Sequence, residues 1–361
     1  MNNKGNINNS RKRSPRRSPR NNSKYGLLFL TAALILVIVF CSIILFSLES
    51  NDPNVIDPST ETTTSDTNDT QDIGTDTPSV TLEPPVVAPV FDFEFPDDLH
   101  SRNAILLDMS DGSVIAAKNS SATTFPASIT KMMTVIVAIE KIADPYSTTT
   151  VLSQEMFEYL YRENASVAGF SPGESVLAID LMYASMLPSG ADGSIGLAVL
   201  VAGSEAAYVE LMNKKAEELG MSSTKFMNAT GLHDINHYTT LDDMAKLITY
   251  AMKNELFRQI ITTQRYSTSP TNLHAAGITF YSTVNTYISA TGLTNNYIIG
   301  GKTGYTSEAG LCLASIAVID GKEYALITTG AGAGANDVKL NAIDAIKVYE
   351  SFADSLSESQ I

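Results

Sequence analysis

Apolar residues run through this chain in three different rhythms. Residues 26–48 contain no charge and are nearly all apolar, 23 positions in succession. At 1.5 Å per residue, one helix of that length crosses a bilayer. Residues 49–96 are dominated by Thr, Ser, Asp and Pro, with few large apolar side chains before Val86. Such a stretch buries too little to offset its ordering entropy and is expected to be a flexible, self-repelling linker. From residue 97 onward the apolar positions return with strand and helix periods. Residues 102–108 and 113–118 predict two strands about the Asp111-Gly112 turn. Residues 128–142 predict a helix carrying Met132, Met133, Val135, Ile136, Val137, Ile139 and Ile142 on nearly every face, which is the pattern of a core helix. Further helices are expected over 178–187, 193–201 and 204–219, the last capped by Ser204 and ended by Gly220. Another begins at Thr240 and runs to about residue 253. Strands follow over 298–303, 311–319 and 324–329, with Asp320-Gly321 as a hairpin turn, and residues 336–352 close the chain as a helix. This order predicts an α+β domain, an antiparallel sheet flanked by helices. No internal repeat is visible.

Charge sharpens the reading of the ends. Residues 1–24 hold eight basic side chains (Lys4, Arg11, Lys12, Arg13, Arg16, Arg17, Arg20 and Lys24) and no acid. Their Asn, Ser and Arg composition predicts disorder. A basic flank before an apolar span keeps that end in the cytoplasm and sends the rest outward. A cleaved signal peptide would carry a shorter apolar region and small residues at its cleavage site, and no Ala-x-Ala follows Leu48. Bulky Phe40 before Cys41 speaks against a lipoprotein site. The expected organisation is therefore a basic tail over 1–24, a single-pass membrane anchor over 25–48, a linker over 49–96 and a globular domain over 97–361. The formal net charge is −15, and the part beyond the basic tail is more acidic still. An acidic exterior argues against nucleic acid as its partner. Cys41 and Cys312 are too few for a disulfide framework, and Cys312 lies in an apolar strand as a small core residue.

Candidate chemistry begins with Pro126-Ala127-Ser128-Ile129-Thr130-Lys131. Ser128 and Lys131 are three apart, nearly one helical turn, so their side chains can meet. A serine hydroxyl needs a base within hydrogen-bond reach to become a nucleophile. Lysine can be that base when burial lowers its pKa. The core placement expected for this helix suits such a lysine. Two further segments stand out: Pro188-Ser189-Gly190 off a helix end, and Lys302-Thr303-Gly304 after the apolar run Tyr297-Ile298-Ile299. Ser-x-x-Lys, a mid-chain serine loop and Lys-Thr-Gly, in that order, are the signature of penicillin-binding proteins and class A β-lactamases.

The chain resembles the serine-type D-alanyl-D-alanine carboxypeptidases, the low-molecular-mass penicillin-binding proteins, over residues 101–351. Ala104-Ile105-Leu106-Leu107-Asp108 through Lys118-Asn119 resembles their opening hairpin. Phe125-Pro126-Ala127-Ser128-Ile129-Thr130-Lys131-Met132-Met133-Thr134 resembles their nucleophile helix almost residue for residue. Asn228-Ala229-Thr230-Gly231-Leu232 with Tyr238-Thr239-Thr240 resembles the segment before a later helix. Gly301-Lys302-Thr303-Gly304-Tyr305-Thr306 with Ala309-Gly310 resembles the strand of the catalytic cleft. The resemblance implies a β-lactamase/transpeptidase-like fold, no cofactor, and a peptidoglycan stem peptide as substrate, with β-lactams as inhibitors. It implies Ser128 as nucleophile, Lys131 as its base and Ser189 as a proton shuttle. Lys302 and Thr303 would bind the terminal carboxylate, Gly304 would permit close approach, and the Ser128 and Tyr305 N–H groups would form the oxyanion hole. The family places Ser-x-Asn in its middle motif, whereas this chain has Ser189-Gly190-Ala191 followed by Asp192. Two roles are open for Asp192: to take over part of the amide's work, or to cap the helix that begins there.

Other readings stay in view. A class A β-lactamase deacylates with a glutamate in a Glu-x-x-Leu-Asn stretch, which this chain lacks. A transpeptidase would pass the acyl group to an amine. A wall-binding protein that lost turnover through Ala191 is the non-enzymatic alternative. His233 and His237 have a zinc-compatible spacing, but Asp234 and Asn236 interrupt any helix there, and a plain loop without metal is expected.

Overall fold

Strands β1 (Asn103–Asp108) and β2 (Val114–Lys118) form the opening hairpin, turned at Gly112 with φ +81°. Three long strands come from the far end of the domain: β7 (Ile298–Thr306), β8 (Gly310–Ile319) and β9 (Lys322–Ala331). The computed structural model describes residues 93–332 and 338–358, all within one compact unit, Pro85–Ile361. The expected basic tail, membrane anchor and most of the linker, with Cys41, lie outside the described residues.

The five strands form one antiparallel sheet in the order β2-β1-β9-β8-β7. Register places Ile105 opposite Ile327 and Leu106 opposite Leu326. Alternate residues therefore enter two different cores. Ile105, Leu107, Ile316 and Ile327 pack on one face with Met132 and Ile136, while Leu106, Leu313 and Leu326 pack on the other with Tyr349 and Phe352. A sheet buried on both faces needs near-continuous apolar strands, which is why β8 reads GLCLASIAVI.

Nine α-helices are present among the described residues. They are α1 (Lys131–Lys141), α2 (Gln154–Arg162), α3 (Ala178–Met186), α4 (Ala191–Ala202), α5 (Glu205–Glu218), α6 (Leu241–Ala251), α7 (Glu255–Thr262), α8 (Thr283–Thr291) and α9 (Leu340–Glu358). Residues 131–138 of α1 and all nine residues of α3 are buried. The Ser204 and Thr240 side chains accept from Ala207 and Asp243 N–H, capping α5 and α6 as their sequences predict. Two small two-stranded antiparallel sheets complete the fold: β3 (Thr149–Val151) with β4 (Ser175–Leu177), α2 lying between them in the chain, and β5 (Arg265–Ser267) with β6 (Thr279–Tyr281). Among the described residues no single helix is long and apolar enough to cross a membrane.

Four departures from the sequence expectations have physical causes. The expected helix over 128–142 is two pieces, a 3₁₀ turn (Ala127–Thr130) and then α1, because Ala127 sits at φ +47° and the chain enters too sharply for a regular helix. Strand β7 continues to Thr306, so Lys302-Thr303-Gly304 lies within a strand and not at its end. The packed region starts upstream of residue 97: Phe93 is buried with its ring edge-on to Phe352, centroids 5.2 Å apart. Finally, α2, α7, α8 and the two short sheets were not expected, being brief elements stabilised by what they pack against.

Candidate active site

Ser128 sits in the 3₁₀ turn, pinched between two glycines. A Cβ on Gly231 would lie 2.0 Å from the Ala127 carbonyl oxygen, and one on Gly304 would lie 3.0 Å from Ser128 N. Only backbone without a side chain lets the 228–232 loop and strand β7 approach the turn this closely. Ala127, a non-glycine residue in the left-handed region, costs on the order of 1 kcal/mol, and both glycine contacts hold it there. The turn leaves Ser128 half-buried while Ala127, Ile129 and Thr130 are buried.

Lys131 is the first residue of α1 and only 2% exposed. Its Nζ lies 3.0 Å from Ser128 Oγ and donates to the Thr230 carbonyl. Ser128 Oγ lies 3.5 Å from that same carbonyl. Burial pulls the Lys131 amine down to about 7, while the charges of Asp192 and Glu205 pull it back up. The positive end of the α1 dipole acts in the same direction as burial. Near neutral pH a substantial fraction is therefore the free amine, the form that can accept a proton.

A second hydroxyl–amine pair forms the facing wall. Ser189, in the turn between α3 and α4, has φ +64° and is 8% exposed. Its geometry is held by Gly190 N donating to the Ala184 carbonyl at 2.8 Å and Ala191 N donating to the Ser166 carbonyl at 2.8 Å. Lys302 Nζ donates to Ser189 Oγ at 2.7 Å and to the Thr303 carbonyl at 2.6 Å. Lys302 is fully buried, and burial followed by the charge of Lys131 holds its pKa well below the ordinary lysine value. An arriving carboxylate supplies the counter-charge that lets Lys302 take up its proton. Thr303 Oγ1 shares a hydrogen bond with Thr283 Oγ1 of α8 at 2.7 Å. Tyr305 is 52% exposed on the same strand. Because β7 is an edge strand of the sheet, an extended peptide can lie along it.

Asp192 does not occupy the N-cap of α4. The α4 N-cap is Gly190, without a side-chain cap bond. The buried Asp192 carboxylate turns to the neighbouring loop and accepts from Ala168, Gly169 and Phe170 N–H at 2.8, 3.2 and 3.4 Å, and from Gly193 N–H at 3.0 Å. It braces the loop beside Ser189, and its charge favours the ammonium form of Lys131.

The two histidines of the 232–238 loop serve packing. His237 Nδ1 accepts from Met227 N–H at 3.3 Å, which assigns the proton to Nε2 and makes Thr130 Oγ1, 2.9 Å away, its acceptor. Burial pulls the ring down to about 4, so it is neutral at physiological pH. His233 meets the Phe125 ring edge-on at 4.9 Å. Among the described residues no cluster of three or more His, Cys, Asp or Glu is placed to hold a metal ion. Cys312 is buried in β8, and burial pushes its thiol up to about 12.

The fold thus brings Ser128, Lys131, Ser189, Lys302, Thr303 and Gly304 together from three segments. The chemistry available is nucleophilic attack by Ser128 with Lys131 as base, beside a buried amine whose protonation an arriving carboxylate would favour. Sequence reasoning missed Thr230, whose part is played by a backbone carbonyl and leaves no side-chain signature. It also missed Glu205 and Thr283, which lie in a helical first turn and a short helix without motif context.

A family model described as D-alanyl-D-alanine carboxypeptidase matches residues 91–333. The chain is 30% identical over 225 residues to the D-alanyl-D-alanine carboxypeptidase DacF of Bacillus subtilis, covering 60% of this chain and 54% of that one. It is also 30% identical over 219 residues to a D-alanyl-D-alanine carboxypeptidase of Streptomyces sp. K15, covering 58% of this chain and 74% of that one. It therefore spans about half the length of the first relative and three quarters of the second. The crystal structure of the Streptomyces K15 DD-transpeptidase superposes with a TM-score of 0.64 at 25% identity, covering 72% of this chain and all of that one. The fold is thus transpeptidase-like, a mixed α/β arrangement with an antiparallel sheet.

Proposed function

We propose that this chain, which belongs to the D-alanyl-D-alanine carboxypeptidase family, removes the terminal D-alanine of peptidoglycan stem peptides through a Ser128 acyl-enzyme and is inhibited by β-lactams. The observation that carries the reading is the pairing of two buried amines with two hydroxyls in one cleft, Lys131 with Ser128 and Lys302 with Ser189.

In this reading Ser128 Oγ attacks the carbonyl of the penultimate D-alanine while Lys131 Nζ takes its proton. The developing oxyanion is held by the Ser128 and Tyr305 N–H groups, and losing one such donor costs about 3–4 kcal/mol of barrier. Lys302 supplies charge and Thr303 a hydroxyl to the terminal carboxylate, and Gly304 lets the backbone come close. Ser189, within reach of Lys302, delivers a proton to the leaving D-alanine. Water then hydrolyses the ester. Penicillin carries both a reactive carbonyl and a carboxylate, so it enters the same site.

The apolar stretch 26–48 behind eight basic residues supports a single-pass anchor with the N-terminus in the cytoplasm and the catalytic domain outside, tethered by residues 49–96. Recovery of the full-length chain in washed membranes is expected; a soluble mature chain beginning near Ser50 would refute the anchor.

One experiment separates the competing activities. The protein is incubated with a fluorescent penicillin and, separately, with a pentapeptide ending in D-Ala-D-Ala, with and without an added amine acceptor. Label on Ser128 together with free D-alanine supports the carboxypeptidase. A new peptide bond to the acceptor marks a transpeptidase, the activity named for the solved K15 structure. Label without D-alanine release marks a binding protein, and neither signal sinks the assignment.

A further inference from the structure

The Ser128–Lys131 pair rests on a third group that the motif does not contain. A neutral lysine amine has two N–H bonds and one lone pair. Here Nζ has two neighbours on the cleft side, Ser128 Oγ at 3.0 Å and the Thr230 carbonyl. The carbonyl can only accept. One N–H is therefore spent on Thr230, which fixes the amine about that bond and leaves the lone pair able to meet the Ser128 hydroxyl, as a nucleophile–base pair needs. After proton transfer the ammonium keeps the same acceptor.

A free loop carbonyl would not hold this aim. The Thr230 peptide is fixed from both sides. Asn228 Oδ1 accepts from Thr230 N–H at 3.2 Å, Thr230 Oγ1 at 3.0 Å and Gly231 N–H at 2.7 Å, while its Nδ2 donates to the Leu232 carbonyl at 2.9 Å. Both ends of one side-chain amide thus close a single loop. On the upstream side, the carboxylate of Glu205, in the first turn of α5, accepts from Ala229 N–H at 2.9 Å. The Ala229 carbonyl in turn accepts from Thr134 Oγ1 of α1 at 2.7 Å, which ties the loop to the helix that bears Lys131.

We propose that the Thr230 carbonyl orients Lys131 for its attack on the Ser128 proton, and that Asn228 and Glu205 are positioning residues that aim this carbonyl. The proposal rests on the Ser128 acyl-enzyme reading. The titratable groups facing Lys131 are Asp192 from α4, Glu205 from α5, Lys302 from β7 and the His237 ring from the 232–238 loop. Of these, Glu205 alone also bonds the loop that carries Thr230.

The test measures acylation by a fluorescent penicillin across pH, with rates referred to titrated active sites so that unfolded protein does not count. Wild type must label Ser128; if it does not, the acyl-enzyme reading fails and not this inference. Asn228→Ala is expected to slow acylation per site at least tenfold with noncovalent penicillin affinity within about twofold, and Asn228→Asp, which keeps the accepting oxygen, to recover most of the rate. Glu205→Gln keeps an oxygen for Ala229 N–H but removes a charge that favours the Lys131 ammonium. Its acid limb is expected to move to lower pH. A per-site rate in Asn228→Ala within twofold of wild type overturns the proposal. If that variant does not fold, Glu205→Ala, which removes the acceptor for Ala229 N–H, decides: a per-site rate within twofold of wild type overturns it as well.

Discussion

Lys302 and Ser189, 113 residues apart in the chain, meet in the buried wall of the cleft with Nζ donating to Oγ at 2.7 Å. The contact joins the edge strand β7 to the turn between α3 and α4, so the sheet and the helical block share one polar bond at the point where a substrate would bind. It also gives Ser189 an amine neighbour through which a proton can pass.

Ser189→Ala is therefore expected to lower D-alanine release by about 10²–10⁴-fold, the usual contribution of a positioned proton donor. Free D-alanine released per acylated site measures it. Turnover within a few-fold of wild type would remove Ser189 from proton delivery.

The rate of Ser128 acylation should rise with pH through about 7, because only the neutral Lys131 amine accepts a proton. Lys131→Arg should be inert at every pH, since guanidinium stays protonated. A flat wild-type profile between pH 5.5 and 8.5 would show that Lys131 is not the base.

Stability should respond in the same direction. Lys131 is pulled from an ordinary value of 10.5 to about 7 in the folded state. Between those values the unfolded chain binds more protons than the folded one, so stability increases as pH rises from about 7 toward 10.5. Lys131→Met replaces a buried amine by an apolar side chain of similar length. It should raise the Tm at pH 7 and weaken this pH dependence while abolishing acylation. A lower Tm in the methionine variant would show that the amine's hydrogen bonds outweigh its desolvation.

Gly231→Ala should damage both folding and function. Its Cβ would sit 2.0 Å from the Ala127 carbonyl, at φ +78°. Overpacking of this kind costs about 1–3 kcal/mol, and the shift falls on the turn that carries Ser128. Denaturant unfolding together with penicillin labelling reads both effects, and wild-type values in each would show that the turn is free to move.

Much of the fold was legible because its elements carry strong local patterns. The apolar strands β8 and β9, the all-round apolar helix α1 and the caps at Ser204 and Thr240 could be read directly. The short helices α2, α7 and α8 could not, since elements of eight or nine residues take their stability from what they pack against. Phe93 was hidden for a similar reason: one aromatic residue at the end of a polar stretch looks like linker until Phe352 is beside it.

The chain alone determined which residues carry chemistry: a serine and a lysine one turn apart, a serine in a helix-ending turn, and Lys-Thr-Gly after an apolar run. Residue type and short-range spacing are local properties, and a sequence displays them. Tertiary structure decided the environment of those residues. It buried both lysines, turned Asp192 to the loop at 168–170, and set the Thr230 carbonyl against Lys131. Those outcomes depend on desolvation and on hydrogen bonds between segments some hundred residues apart, and such effects exist only once the chain has closed on itself.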